Sequence, residues 1–163
     1  MNSDIVPKLS IRAATSADRP RLIAMINAAF AIETFLEGTR TDDERLAAMM
    51  QKGEILIAED DDGHILASIY SELRGSRGYL GMLAVHPAHQ RGGLGRQMLA
   101  AAEDRFRMQG CQAIDITVLS LRPELLPIYR RFGFVETGVE KFHPTQPLKD
   151  GKDCHCIIMS KTI

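Results

Sequence analysis

The chain has 163 residues, with 20 Lys plus Arg against 21 Asp plus Glu and a net charge of −1. Its 45% hydrophobic content suits one globular domain with a sizeable core. Near-zero charge argues against broad nucleic-acid binding, three cysteines give no disulfide framework, and no run is long and apolar enough to predict a membrane span or a secretory signal. The expectation is a cytoplasmic protein.

Residues 1–8 are polar, carry Pro7 and read as a flexible tail. Residues 9–163 read as a single domain. Leu9, Ile11 and Ala13 alternate, as an edge strand would. Ser16 is placed to cap a first helix whose apolar face is Leu22, Ile26, Ala29 and Phe30. Thr41 or Asp42 caps a second helix, and Gly53 ends it. Ile55 to Ala58 and Ile65 to Tyr70 predict two strands joined by an acidic, Gly-ended hairpin loop. Gly75 to Gly78 reads as a turn, and Tyr79 to Val85 as a central strand.

Leu94, Met98, Ala102 and Phe106 recur at i+4 steps, so a helix begins near the glycines at 92–95. Ala113 to Leu119 alternates as a strand. Arg122 to Phe132 reads as a short helix whose regular part starts at Pro127 and stops at Gly133. Phe134 to Phe142 and Cys156 to Ser160 predict a closing strand pair around the loop 144–152. The order βααβββαβαββ is an α/β fold.

The segment Leu83-Ala-Val-His-Pro-Ala-His-Gln-Arg-Gly-Gly-Leu-Gly-Arg96 runs from a buried strand through three glycines into a helix. Glycines let backbone N–H groups converge, and a helix start adds unpaired N–H groups and a positive dipole end. Such a place binds phosphate oxygens. Two nucleotide loops fail here. Gly95-Arg96-Gln97 lacks the Lys and hydroxyl of a P-loop, and position 98 is Met where the dinucleotide fingerprint needs glycine.

Gln90-Arg91-Gly92-Gly93-Leu94-Gly95 is similar to the Gln/Arg-x-x-Gly-x-Gly/Ala pyrophosphate loop of the GNAT superfamily, the acyl-CoA-dependent N-acetyltransferases. Leu83 to Pro87 resembles the strand before that loop, and Tyr129-Arg130-Arg131-Phe132-Gly133-Phe134 resembles the family's Tyr-x-x-x-Gly-Phe element. The resemblance runs from about Leu9 to Lys161. It implies a mixed sheet of about six to seven strands with about four helices, and acetyl-CoA as co-substrate.

By that resemblance, Leu83, Ala84 and Val85 lie along the pantetheine arm, with Leu83 and Val85 giving main-chain contacts. The Leu83 N–H polarises the thioester carbonyl as an oxyanion donor. Residues Arg91, Gly92, Gly93, Leu94, Gly95 and Arg96, with Gln90, wrap the pyrophosphate. Tyr129 protonates the departing thiolate, an apt match of a phenol near pKa 10 with a thiol near 8.5. Arg122 stands where many relatives carry Asn, and reads either as a phosphate contact or as a solvated residue. The strand Tyr79 to Leu83 lacks the carboxylate that serves many members as base, so the base is unassigned.

The implied acceptor is a small-molecule or peptide amine. Its rim would be residues 32–40 and 142–152, offering Glu33, Phe35 and Glu37 with His143, Lys149 and Asp150. The bland reading of Glu33 and Glu37 is a solvated i, i+4 pair. No metal site is expected: in Cys154-His155-Cys156, a strand turns His155 away from both cysteines. A homodimer is left open. The rival readings are a non-catalytic acyl-CoA-binding regulatory module and a binder of some other nucleotide phosphate.

Overall fold

The computed structural model describes residues 9–142, 148–149 and 153–163. The expected tail at 1–8, His143 and Asp150 lie outside the described residues. The elements are β1 (Ser10–Ala13), α1 (Arg19–Ala29), α2 (Asp43–Lys52), β2 (Glu54–Glu59), β3 (Ile65–Arg74), β4 (Arg77–Val85), α3 (Leu94–Met108), β5 (Ala113–Leu119), α4 (Leu125–Arg131), β6 (Val135–Lys141) and β7 (His155–Thr162). They form one seven-stranded mixed sheet in the order β1-β2-β3-β4-β5-β7-β6. All neighbours are antiparallel except β4 and β5. The α/β class and element order match the sequence expectation.

The two faces carry separate cores. Leu94, Met98, Ala102 and Phe106 of α3 pack on Leu56, Ile69, Leu80, Ile114 and Ile116. On the other face, Leu22 and Ile26 of α1 and Leu46 of α2 cover Ile55, Ile57, Tyr70 and Ala84. The close approach of α3 is set at Gly78, where a Cβ would stand 2.6 Å from the Phe106 ring. Burying such a set of large apolar side chains contributes roughly 1.5–3 kcal/mol each.

Local chemistry shifts several boundaries. Asp42, not Thr41, caps α2, its carboxylate accepting from Arg45 N–H. Ser16 does not cap α1. Instead Thr15 and Asp18 form a capping box around a single 3-10 turn, and α1 starts at Arg19 with Pro20 at its N-terminus. Asp18 is buried and accepts from Arg12 at 2.8 and 2.9 Å, which fixes that turn to the sheet edge. The β3–β4 turn narrows to Gly75-Ser76, because Leu73↔Gly78 and Arg74↔Arg77 still pair. Helix α4 begins at Leu125, two residues before Pro127. A proline in the first turn has no N–H to lose, so it sits inside the helix without breaking it.

Candidate active site

The site lies where β4 and β5 part. Their pairing runs only from Arg77↔Ala113 to Leu80↔Ile116, although both strands continue. β5 stays with β7 as far as Leu119↔Cys156, so it is β4 that turns away. The cause is a bulge. Ser68 pairs Ala84 and Tyr70 pairs Gly81, leaving Met82 and Leu83 opposite Ile69 alone. Met82 takes the left-handed conformation, φ = 50°. An extra residue of this kind bends a strand and increases its twist.

The bend frees the outer backbone of β4. His86 N–H donates to Leu66 C=O at 2.8 Å, and Ser68↔Ala84 is a ladder pair. Main-chain groups alternate along a strand, so those of Leu83 and Val85 face the gap. The Val85 carbonyl is met there by the Gln90 side-chain amide at 3.2 Å. The Leu83 and Val85 side chains lie against the start of α3, 3.8 and 4.0 Å from where a Gly95 Cβ would stand.

The loop beneath has the backbone an anion needs. Arg91 and Gly93 have φ of 74° and 81°, the first an unusual conformation for a side-chain-bearing residue. Gly93 is the N-cap of α3 and offers no side-chain cap. Gln97 N–H makes the first helical bond, to Gly93 C=O at 3.1 Å. The N–H groups of Leu94, Gly95 and Arg96 are therefore left for a ligand, at the positive end of a 15-residue helix. Arg91 and Arg96 are exposed beside them, and Arg96 lies 5.7 Å from the Phe132 ring centroid.

A cleft of about 620 Å³ joins these parts. Leu83, Ala84, Val85, Gln90, Arg91 and Gly95 line one side, with Thr117, Arg122 and Tyr129 opposite. Tyr129 packs edge-on against Phe134, with centroids 6.0 Å apart, and its hydroxyl makes no hydrogen bond among the described residues. Burial pushes the phenol up to about 12, against the pull of Arg122. That is a weaker acid than the free phenol of the sequence reading. A phenol at 12 stays protonated at neutral pH and is a hydrogen-bond donor there.

The acceptor end departs from expectation. Glu33 is not a solvated partner of Glu37: its side chain is only 4% exposed, and Arg122 Nη1 donates to it at 2.7 Å. Arg40 stands 3.6 Å from its other oxygen, which has no hydrogen bond among the described residues. Glu37 is exposed. Arg122 is accordingly neither solvated nor unpaired, because Glu33 and Glu124 hold its guanidinium. Phe35 is buried, and its carbonyl accepts from Lys149 N–H at 2.8 Å. The aromatic that lines the cleft is Phe30, with the Arg40 guanidinium 4.9 Å from its ring centroid. Asn27 pins the α1–α2 connection, donating to Thr41 C=O and accepting from Thr41 N–H.

The sequence reading missed the bulge at Met82, Phe30, and the Glu33–Arg122 pair. No residue pattern marks the bulge, since Met is not a left-handed former. The pair joins positions 89 residues apart.

Comparison with known proteins gives the same architecture. Residues 23–144 match the family model for the acetyltransferase (GNAT) domain. Over 104 residues, 63% of this chain, the sequence is 31% identical to the mycothiol acetyltransferase of Clavibacter sepedonicus. The match spans about a third of that protein's length, 34%. The ribosomal-protein-S18-alanine N-acetyltransferase from Escherichia coli shares the fold with a TM-score of 0.76 at 20% identity, over 96% of this chain and 94% of that one. A putative acetyltransferase from Salmonella typhimurium, solved with its cofactor acetyl-CoA, gives 0.71 at 23% identity, over 95% and 94%. The parted strands, the uncapped glycine loop and a family match over three quarters of the residues lead to one conclusion: the chain belongs to the GNAT acetyltransferase family.

Proposed function

We propose that the protein transfers an acetyl group from acetyl-CoA to a primary amine, by direct attack in a ternary complex. The observation that carries this is the gap after Leu80↔Ile116, flanked by free β4 backbone on one side and the Tyr129 hydroxyl on the other. In this reading, the Leu83 and Val85 main chain holds the pantetheine arm, with Ala84 between them turned to the α1 core. Gln90, Arg91, Gly92, Gly93, Leu94, Gly95 and Arg96 receive the pyrophosphate, largely through N–H groups. The Leu83 N–H stabilises the oxyanion that forms as the amine attacks. Tyr129 donates to sulfur as the C–S bond breaks. Holding amine and thioester together removes much of the entropic barrier.

Arg122 serves differently from the sequence reading. Its pairing with Glu33 makes it a strut between the α1–α2 connection and α4, beside Tyr129, while it still lines the cleft where a phosphate contact was expected. The names of the similar proteins span mycothiol and a ribosomal protein, so both small-molecule and peptide amines belong in a screen. A cytoplasmic setting, where acetyl-CoA is supplied, and an optional homodimer go with this reading. A non-catalytic acyl-CoA-binding module is the second reading, favoured by the absence of a carboxylate from Tyr79 to Leu83. Thiol release from acetyl-CoA across an amine panel separates the two. Amine-dependent release supports transfer, and binding without release supports the module.

A further inference from the structure

Tyr79 lies on the α1 face of β4, packed with Met82 and the α1 core, whereas Tyr129 belongs to the α3 side. Its ring leans along the strand over Gly81. A Cβ at Gly81 would meet the Tyr79 hydroxyl at 3.2 Å, so the glycine makes room for that lean. The hydroxyl reaches across to Thr117 Oγ1 at 3.2 Å. Gly81 and Thr117 are the first residues past the last β4–β5 pair, and Thr117 lines the cleft. The bridge therefore spans the root of the gap. The Arg74 guanidinium stacks on the Tyr79 ring at 3.9 Å, and Tyr70 meets it edge-on at 6.5 Å. These contacts leave the ring one position. Tyr79 is also near enough to oppose ionisation of Tyr129.

Two phenols thus flank the gap from opposite faces of the sheet. The Tyr79 hydroxyl stands over Gly81, just before the bulge that turns the Leu83 main chain to the gap. We propose that the Tyr79 hydroxyl, held by Thr117, accepts a hydrogen bond from the attacking amine and is the first station of its proton's exit. This rests on the acetyl-transfer reading above.

The step balances. The nitrogen lone pair forms the C–N bond and the C–S bond breaks. The nitrogen proton passes to Tyr79 Oη as the Tyr79 proton moves to Thr117 Oγ1, and the threonine proton leaves to water. The departing sulfur takes a hydrogen bond from the Tyr129 hydroxyl, and the released thiolate picks up its proton from water. A hydroxyl pair can do this without a carboxylate because each oxygen donates and accepts at once.

The test uses the full chain with acetyl-CoA and a panel of amino acids, polyamines and short peptides with free amino termini, read by thiol release across pH. Tyr79→Phe should lower kcat about 10²-fold, within the usual range for a lost proton-transfer group. It should also move the midpoint of the alkaline rise in kcat upward by about one unit, towards that of the free amine. The thermal shift given by acetyl-CoA should be unchanged. Thr117→Val should act in the same direction, and Thr117→Ser should restore most of the loss. Tyr79→Phe with kcat within threefold of wild type and an unmoved midpoint overturns the proposal. So does loss of rate and acetyl-CoA stabilisation together, or Thr117→Ser failing as Thr117→Val does, since those report packing. If acetyl-CoA stabilises the wild type but no amine is turned over, this inference falls and the cofactor assignment stands. If acetyl-CoA gives no stabilisation, the acetyl-transfer reading falls first.

Discussion

The two ends of the cleft are built from different material. On the proposed reading, the cofactor end is main chain: the Leu83 and Val85 peptide groups freed by a bulge, and the uncapped N–H groups after Gly93. The proposed acceptor end is side chain: Glu33 on Arg122, Arg40 over Phe30, and Tyr79 on Thr117. Backbone donors can serve the same ligand under many sequences, provided glycines keep the approach open. Side-chain contacts change with every substitution. Under the proposed function, cofactor use would therefore tolerate substitution that acceptor choice would not.

The sharpest way to break the comparison is at Arg122. Arg122→Ala leaves Glu33 buried with Arg40 as its one ion partner among the described residues, so stability should fall by about 3 kcal/mol, as when one partner of a buried pair is removed. Acetyl-CoA should still shift the melting temperature of the folded variant. Urea unfolding with and without acetyl-CoA checks both statements.

Tyr129→Phe comes next. Turnover should drop about 10²-fold, equivalent to about 2.7 kcal/mol in the barrier, with acetyl-CoA affinity nearly kept. Steady-state kinetics beside a binding titration reads the split. An unchanged kcat would mean that the departing thiolate needs no hydrogen bond from Tyr129.

A smaller effect is expected at Gly93. With φ at 81°, Gly93→Ala should cost about 1 kcal/mol of stability, because a Cβ disfavours the left-handed region. No atom of the described residues lies within 4 Å of where that Cβ would stand, so the loss is conformational. Bulkier replacements at Gly93 or Gly95 should also abolish the acetyl-CoA shift, by blocking approach to the backbone.

The smallest effect is confined to high pH. Tyr129 and Tyr70 are both pushed up to about 12, mainly by burial. A free tyrosine ionises near 10, so the unfolded chain loses these protons first. Stability from this source is intact below pH 10 and declines between about 10 and 12. Tyr129→Phe should make that decline shallower in pH-dependent melts, and a profile that is flat to pH 12 would contradict it.

Much of the fold was legible because its signals are local. The i+4 apolar steps from Leu94 to Phe106 and the alternation from Ala113 to Leu119 gave α3 and β5 their positions. The Gly75-Ser76 turn was read too long, since Gly78 looks like a turn residue but makes room for Phe106. At the site, the glycines from 92 to 95 suggest an anion loop only together with the strand before them, the helix after them and the family resemblance. Tyr79 looked like one more apolar strand residue, because its lean over Gly81 depends on the parting of β4 from β5. Glu33 looked solvated because its partner lies beyond β5. The α1–α2 connection carries no periodic signal, and its shape comes from Asn27, Arg122 and Lys149, each outside it.

The central claim is that the gap and the glycine loop form one backbone-built site for acetyl-CoA. Thermal unfolding of the wild type and Gly95→Leu, with acetyl-CoA, CoA, ATP or NAD, tests it most directly. Acetyl-CoA and CoA at 100 times their Kd should each add about 2.7 kcal/mol to the wild type. ATP and NAD should add little, and Gly95→Leu should show no gain. No shift with millimolar acetyl-CoA, or an equal shift with ATP, would contradict it.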